Sequence, residues 1–234
     1  KARIHYEILA PDTTVVTYGH RDIELDMKRE DTIKVMTQIP YELTWCADMP
    51  VRYRLNLKTQ IEGRYVEYQT HLLGFRDVKH SENGDFFING IKTDLNYGNF
   101  DVHKITDKDI LGARLLGYNA LRFPAQAVPH EVYRKCDSLG MYVLAQVPIS
   151  TRNSGISRRV NGNESNNPKR KKAFILRAEN TYYATRNYAC VLGYLLADES
   201  ANGINLYESY LRLKALEPKR PIIYIEANGE WNSD

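Results

Sequence analysis

Apolar and polar positions alternate along the first third of the chain. Ile4, Tyr6 and Ile8 share one face of an extended segment, as do Ile23, Leu25 and Met27, then Ile33 and Val35, then Tyr53, Leu55 and Leu57. Alternation over short runs is what a strand with one buried face produces. Turn signals at Pro11-Asp12, Gly19-His20 and Glu62-Gly63 separate the runs, and a last strand from Arg64 to Leu73 follows a hairpin turn. Short strands so spaced predict an antiparallel β-sandwich over residues 1–79.

Near Gly74 the pattern changes. The segment Phe86-Phe87-Ile88-Asn89-Gly90 predicts a hairpin, and a strand follows over residues 91–97. Thr106 and Asp109 have the spacing of a capping box that opens a helix reaching Leu116, with Gly117 closing it. A short strand over 119–123 precedes a helix that Pro129 opens and Gly140 closes, with Val132, Tyr133 and Cys136 on one face. A strand over 141–147 leads into a long polar loop, residues 150–171. The basic run at residues 169–172 reads as a solvated loop, with an anion site as the alternative. A helix with Phe174, Ile175, Ala178 and Tyr182 on one stripe comes next. It is followed by a strand over 191–197, a helix carrying Leu206, Tyr210 and Leu213, and a strand over 222–226. Strands that alternate with helices and lack polar alternation predict parallel βα units buried on both faces. No glycine-rich phosphate loop follows any strand, which argues against a nucleotide-binding open sheet and for the first five strands of a (β/α)₈ barrel.

The stretch with the clearest chemistry is CVLGYLLADES, residues 190–200. An apolar run ends abruptly in Asp198 and Glu199, two carboxylates just past a strand's carboxyl end, where barrels carry their catalytic groups. The plainer alternative is a loop in which Asp198 or Ser200 caps the following helix.

Composition narrows the picture further. The 234 residues suffice for one large or two ordinary domains, and a net charge of +3 is too small to argue for nucleic acid or an acidic membrane. No apolar run approaches the ~20 residues of a membrane-spanning helix. Cys46, Cys136 and Cys190 lie far apart with no C-x-x-C spacing, so buried free thiols are expected. Seventeen Tyr against six Phe tilts the expected location toward secreted or periplasmic rather than cytoplasmic.

The order of these motifs resembles glycoside hydrolase family 2, the β-galactosidase and β-glucuronidase family. The resemblance rests on HLLGFRDVKHSENGDFFINGIKTDL (residues 71–95), LGYNALRF (116–123), CDSLGMYVLAQVP (136–148) and NYACVLGYLLADES (187–200). The last aligns without gaps to the family's acid/base signature N-H-P-S-V-x-x-W-S-L-G-N-E-S. The resemblance implies a multidomain chain: an immunoglobulin-like β-sandwich over 1–79, then the N-terminal part of a TIM barrel over 80–234. It places the general acid/base on Glu199 and sugar contacts on Arg122 and Asp198; Asp101 and His103, after the first barrel strand, resemble the family's Asn-x-His-Glu loop only loosely and are read either as further contacts or as plain loop polars. A retaining glycosidase uses two carboxyls ~5 Å apart, one protonating the leaving oxygen and one attacking the sugar. The resemblance puts the second on a seventh strand, outside this chain, so the chain alone is expected to be inactive.

Four positions depart from the family's pattern. Asp198 stands where the family has an Asn that donates to the sugar's 2-hydroxyl, and an ionised carboxylate only accepts. Ala125 takes the place of a histidine, Gln146 of a glutamate and Tyr194 of a tryptophan. Two alternatives to a working β-glycosidase therefore stay open: a degenerate relative that binds carbohydrate without cleaving it, and a non-catalytic interaction module. The implied partner is a carbohydrate, with neither nucleic acid nor membrane. No cofactor is implied, although some family members use a divalent or monovalent metal. Five strands of a barrel leave two unpaired edges, so a homo-oligomer, partial disorder near residues 228–234 or further chain beyond Asp234 is expected.

Overall fold

The computed structural model describes residues 1–24, 32–227 and 229–234. The chain divides into two compact units, one of Lys1–Trp45 and Met49–Phe75, the other of Cys46–Asp48 and Arg76–Asp234.

The first unit holds one antiparallel sheet built from β1 (Ala2–Leu9), β2 (Val15–Ile23), β3 (Tyr53–Ile61) and β4 (Arg64–Leu73), in the order β2-β1-β3-β4. Asp12 shapes the β1–β2 turn: its Oδ1 accepts from the Thr14 N–H at 3.0 Å and from the Thr14 hydroxyl at 2.7 Å. Ile8 and Tyr53, whose alternation predicted these strands, are buried, and Ile39, Leu43 and Val51 pack against them. Phe75 meets Tyr53 edge to face, with ring centroids 5.2 Å apart.

A sandwich needs a second sheet, and none forms among the described residues. The strand expected at Ile33 and Val35 is irregular chain, which runs on to Pro40 and a 3₁₀ turn over Tyr41–Leu43. Leu25 and Met27 lie outside the described residues.

The second unit opens with a small antiparallel sheet of β5 (Val78–His80), β6 (Phe86–Ile88) and β7 (Ile91–Thr93). Asn89 and Gly90, at φ 51° and 81°, make the two-residue turn whose twist suits a hairpin. That turn pairs Ile88 with Ile91, so the run expected as the first barrel strand is instead the return strand of the hairpin. The first parallel strand comes later, at β8 (Tyr97–Asn99).

From there strands and helices alternate: α1 (Asp107–Leu115), β9 (Ala120–Arg122), α2 (His130–Leu139), β10 (Tyr142–Gln146), α3 (Lys171–Thr185), β11 (Val191–Leu195), α4 (Ile204–Leu216) and β12 (Ile222–Ile223). The capping box of Thr106 and Asp109 opens α1, and Gly140, left-handed at φ 74°, closes α2. All five strands run parallel in the order β12-β11-β10-β9-β8. Every residue of β10 and β11 is buried, which is why their sequences show no polar alternation. The fifth strand is shorter than expected, because a 3₁₀ turn over Ile225–Ala227 replaces its end. All three cysteines are free.

The amino end of β11 is held by two polar side chains, Asp137 and Arg76. Asp137 accepts from the N–H groups of Cys190 at 2.7 Å and Ala189 at 3.2 Å. Arg76 donates to the carbonyls of Val191 and Tyr188 at 2.7 and 3.3 Å. Burial pushes Asp137 above the usual carboxylate range, outweighing the opposing pull of those two amide bonds. The folded chain therefore holds a proton there at a pH where the unfolded chain, with its Asp near 3.9, has released it. Stability falls as pH rises through that window. Asp137→Asn is expected to flatten the fall in urea-unfolding free energy as pH rises above about 4, and an unchanged slope would rule this out.

Candidate active site

Parallel order brings the carboxyl ends of the strands to one rim, and the period of two decides which side chains face inward. Tyr97 and Asn99, Arg122, Leu144 and Gln146, Leu195 and Ile223 fall on the same face through the ladder pairs Asn99–Arg122, Gln146–Leu195 and Leu195–Ile223. Most of them line a hollow of about 590 Å³ on that face.

The two carboxylates past β11 follow its carboxyl end, and Asp198 meets the hollow through Arg122. Arg122, the last residue of β9, donates from Nη2 to Asp198 Oδ1 at 3.1 Å. Glu199 is a non-glycine residue in the left-handed region, at φ 46°, a backbone state that costs energy and persists only where its surroundings enforce it. Here four bonds enforce it. The Asp198 N–H donates to Ile149 O at 3.0 Å, and the Thr151 N–H donates to the Ser200 hydroxyl at 3.0 Å. The Tyr224 hydroxyl donates to Ser200 O at 2.5 Å, and the Glu199 N–H donates to Glu226 Oε1 at 3.1 Å. Contacts from beyond β10 and β12 thus fix the turn from both sides. Neither Asp198 nor Ser200 caps α4, whose N-cap is Gly203 without a side-chain bond. The capping alternative for this pair is set aside.

The Glu199 side chain is half-exposed and forms an ion pair with Arg152, while Asp198 takes Arg122. A guanidinium partner favours the ionised form of a carboxylate, so a proton-donating role for Glu199 requires that partner to move away. Asp101 and His103 are both exposed on the loop after β8. Asp101 Oδ1 accepts from the His103 N–H at 3.0 Å, which closes an exposed turn on the β8–α1 loop.

Of the departures, Gln146 is buried and donates from Nε2 to Val147 O at 2.8 Å. Tyr194 is buried on the opposite face, with Arg220 over its ring at 5.3 Å. No group of three or more His, Cys, Asp or Glu is placed to hold a metal ion among the described residues.

Sequence reasoning missed two members of the site. Glu226 lies past β12, and burial together with the charge of Asp198 pushes its carboxyl upward, against the pull of Arg122. The signal that singled out Asp198 and Glu199, a carboxylate closing an apolar run, is present in Ile222-Ile223-Tyr224-Ile225-Glu226 as well. Arg152 had no such signal, because it lies in a polar loop with nothing periodic about it.

Residues 86–233 match the model of glycosyl hydrolases family 2, TIM barrel domain. The β-galactosidase of Pectobacterium atrosepticum is 28% identical over 220 residues, which cover 89% of this chain and 20% of that protein. The β-galactosidase of Staphylococcus xylosus is 28% identical over 198 residues, covering 77% of this chain and 19% of that protein. The chain thus spans about a fifth of the length of the curated relatives it matches. Among solved structures, a glycosyl hydrolase family 2 member from Bacteroides cellulosilyticus superposes with a TM-score of 0.73 at 17% identity, over 95% of this chain and 30% of that one. The β-glucuronidase of Parabacteroides merdae superposes with a TM-score of 0.71 at 16% identity, over 96% and 30%. These likenesses show the fold, and the family model covers more than half the chain. With parallel βα units whose rim carries Glu199 and Arg122, the chain belongs to glycoside hydrolase family 2.

Proposed function

We propose that this chain supplies the acid/base half of a retaining β-glycosidase site in a longer protein. Glu199 is the general acid/base, Arg122 and Asp198 contact the sugar held in the hollow, and Asp101 and His103 serve as outer contacts on the neighbouring loop. The observation that carries this reading is the four-bond clamp that holds Glu199 in a left-handed conformation at the rim. In the first step the Glu199 carboxyl gives its proton to the glycosidic oxygen as the bond from that oxygen to the sugar's anomeric carbon breaks. A carboxylate on the opposite face, which the family resemblance puts on a seventh strand, takes that carbon. In the second step Glu199 removes a proton from the water that displaces the carboxylate.

The substrates proposed are β-linked galactosides or glucuronides, following the names of the relatives. The sheet of residues 1–75 is read as one face of an immunoglobulin-like module, and residues 80–234 as the first part of the barrel domain. We further propose that the chain by itself is inactive and that it self-associates through the open edges of β8 and β12.

The test is proton NMR of the full-length gene product acting on 4-nitrophenyl β-galactoside and β-glucuronide. Release of the β-anomer before mutarotation is expected from one of them. Release of the α-anomer would overturn the retaining mechanism. Hydrolysis of neither would favour the second reading, a carbohydrate-binding relative that no longer cleaves, which the Glu199–Arg152 ion pair supports.

A further inference from the structure

A second pocket, of about 610 Å³, lies between the loop after β10 and α3, and the assigned roles leave it unused. Its size is within the range of ~300–1,000 Å³ typical of small-molecule sites. Three guanidinium groups line it: Arg152 from the loop, Arg170 just before α3 and Arg177 one and a half turns along that helix. Ser150 and Asn153 are further polar lining, and Phe174 adds an apolar patch of wall.

The charges facing the pocket do not cancel. Glu164 pairs with Arg170 Nε at 2.6 Å, and Arg152 is taken by Glu199. Arg177 donates to the carbonyl of Pro148 at 2.8 Å and has no carboxylate partner among the described residues. One net positive charge is left on a wall of planar, multiply donating groups, the geometry that suits sulfate and carboxylate oxygens. Arg152 also fixes where the pocket stands in the reaction. Its guanidinium lines the pocket while pairing with the Glu199 carboxylate, whereas Arg122 and the sugar hollow are on the side of Asp198. An acid/base carboxyl stands between the sugar and its leaving group, so the pocket falls on the leaving-group side.

We infer that this pocket is a leaving-group subsite for a sugar bearing an anionic substituent, either a sulfate ester or a uronate carboxylate. The placement rests on the reading of Glu199 as the acid/base; the anion preference does not. An oxyanion bound there competes with Glu199 for Arg152, so the substrate that fills the pocket also helps to free the acid/base from its ion pair.

The test is isothermal titration of the full-length protein with glucose 6-sulfate, glucuronic acid and glucose at constant ionic strength. None of the three has a glycosidic bond to cleave, so binding is read separately from hydrolysis. At least one anionic sugar is expected to bind about tenfold more tightly than glucose, the order of a charge-assisted hydrogen bond. Arg177→Gln is expected to erase that difference and Arg177→Lys, which keeps the charge and loses the fork, to retain part of it. Preference for the sulfate alone assigns the ester, and preference for the uronate alone assigns the carboxylate. Equal affinity of the wild-type protein for all three sugars overturns the inference, as does an anion preference untouched by both Arg177 variants. An anion preference in a protein that hydrolyses nothing keeps the pocket and overturns the acid/base reading instead.

Discussion

Glu199→Gln in the full-length gene product is expected to lower kcat/KM about a thousandfold for alkyl β-glycosides and far less for 2,4-dinitrophenyl β-glycosides. General acid catalysis contributes roughly 10²–10⁴-fold, and its share grows with the basicity of the departing oxygen. An alkoxide cannot leave without a proton, whereas dinitrophenolate needs little help. Deglycosylation also slows, because water loses its base. Azide, which attacks the sugar without general-base assistance, is therefore expected to restore turnover of the dinitrophenyl substrate and to yield a β-glycosyl azide. Glutamine preserves volume and the backbone clamp at residue 199, whose bonds run through main-chain N–H and carbonyl groups and the Ser200 hydroxyl. Equal losses for both substrates, with no azide effect, would move the chemistry to another carboxyl, and Glu226 is then the first to examine.

The largest effect on stability is expected at Gly140. It ends α2 in the left-handed region at φ 74°, and a β-carbon there would lie 1.9 Å from the carbonyl oxygen of Ala47. The obstacle is main chain and is itself held. Ala47 O accepts from Arg114 Nη1 at 2.7 Å, and the Ala47 N–H donates to the Tyr142 hydroxyl at 3.2 Å. A left-handed alanine costs about 1–2 kcal/mol and forced repacking of a tight contact a further 1–3. Gly140→Ala is expected to destabilise the protein by about 3 kcal/mol in urea denaturation. Gly117→Ala separates the two contributions: its φ is 87°, but nothing lies within 4 Å of the new atom, so only the backbone cost remains. Equal losses at the two glycines would show that the segment carrying Ala47 yields freely.

What could be read from the sequence was what local chemistry decides. Thr106 with Asp109, Gly140 and the unbroken apolar run of β11 each point to one structure without help from distant residues, and each element formed as expected. Errors came where pairing partners decide. Residues 91–93 form a strand in either arrangement, and only the turn at Asn89 and Gly90 assigns them to the hairpin rather than the barrel. Ile33 and Val35 alternate correctly but have no partner strand among the described residues. In the candidate site, Glu199 could be singled out because it closes an apolar run, and Arg122 because its surroundings match the family. Arg152 reaches Glu199 from a loop with no periodicity, so its role emerges only from the folded chain.

The pair of Arg122 and Asp198 also constrains how this protein can change over generations. The family's asparagine is one nucleotide substitution away from Asp198, but that single step strips a partly covered guanidinium of its counter-ion. A change at Arg122 alone leaves the Asp198 carboxylate without the guanidinium it pairs with. The two positions are therefore coupled: the effect of a substitution at one depends on the residue at the other.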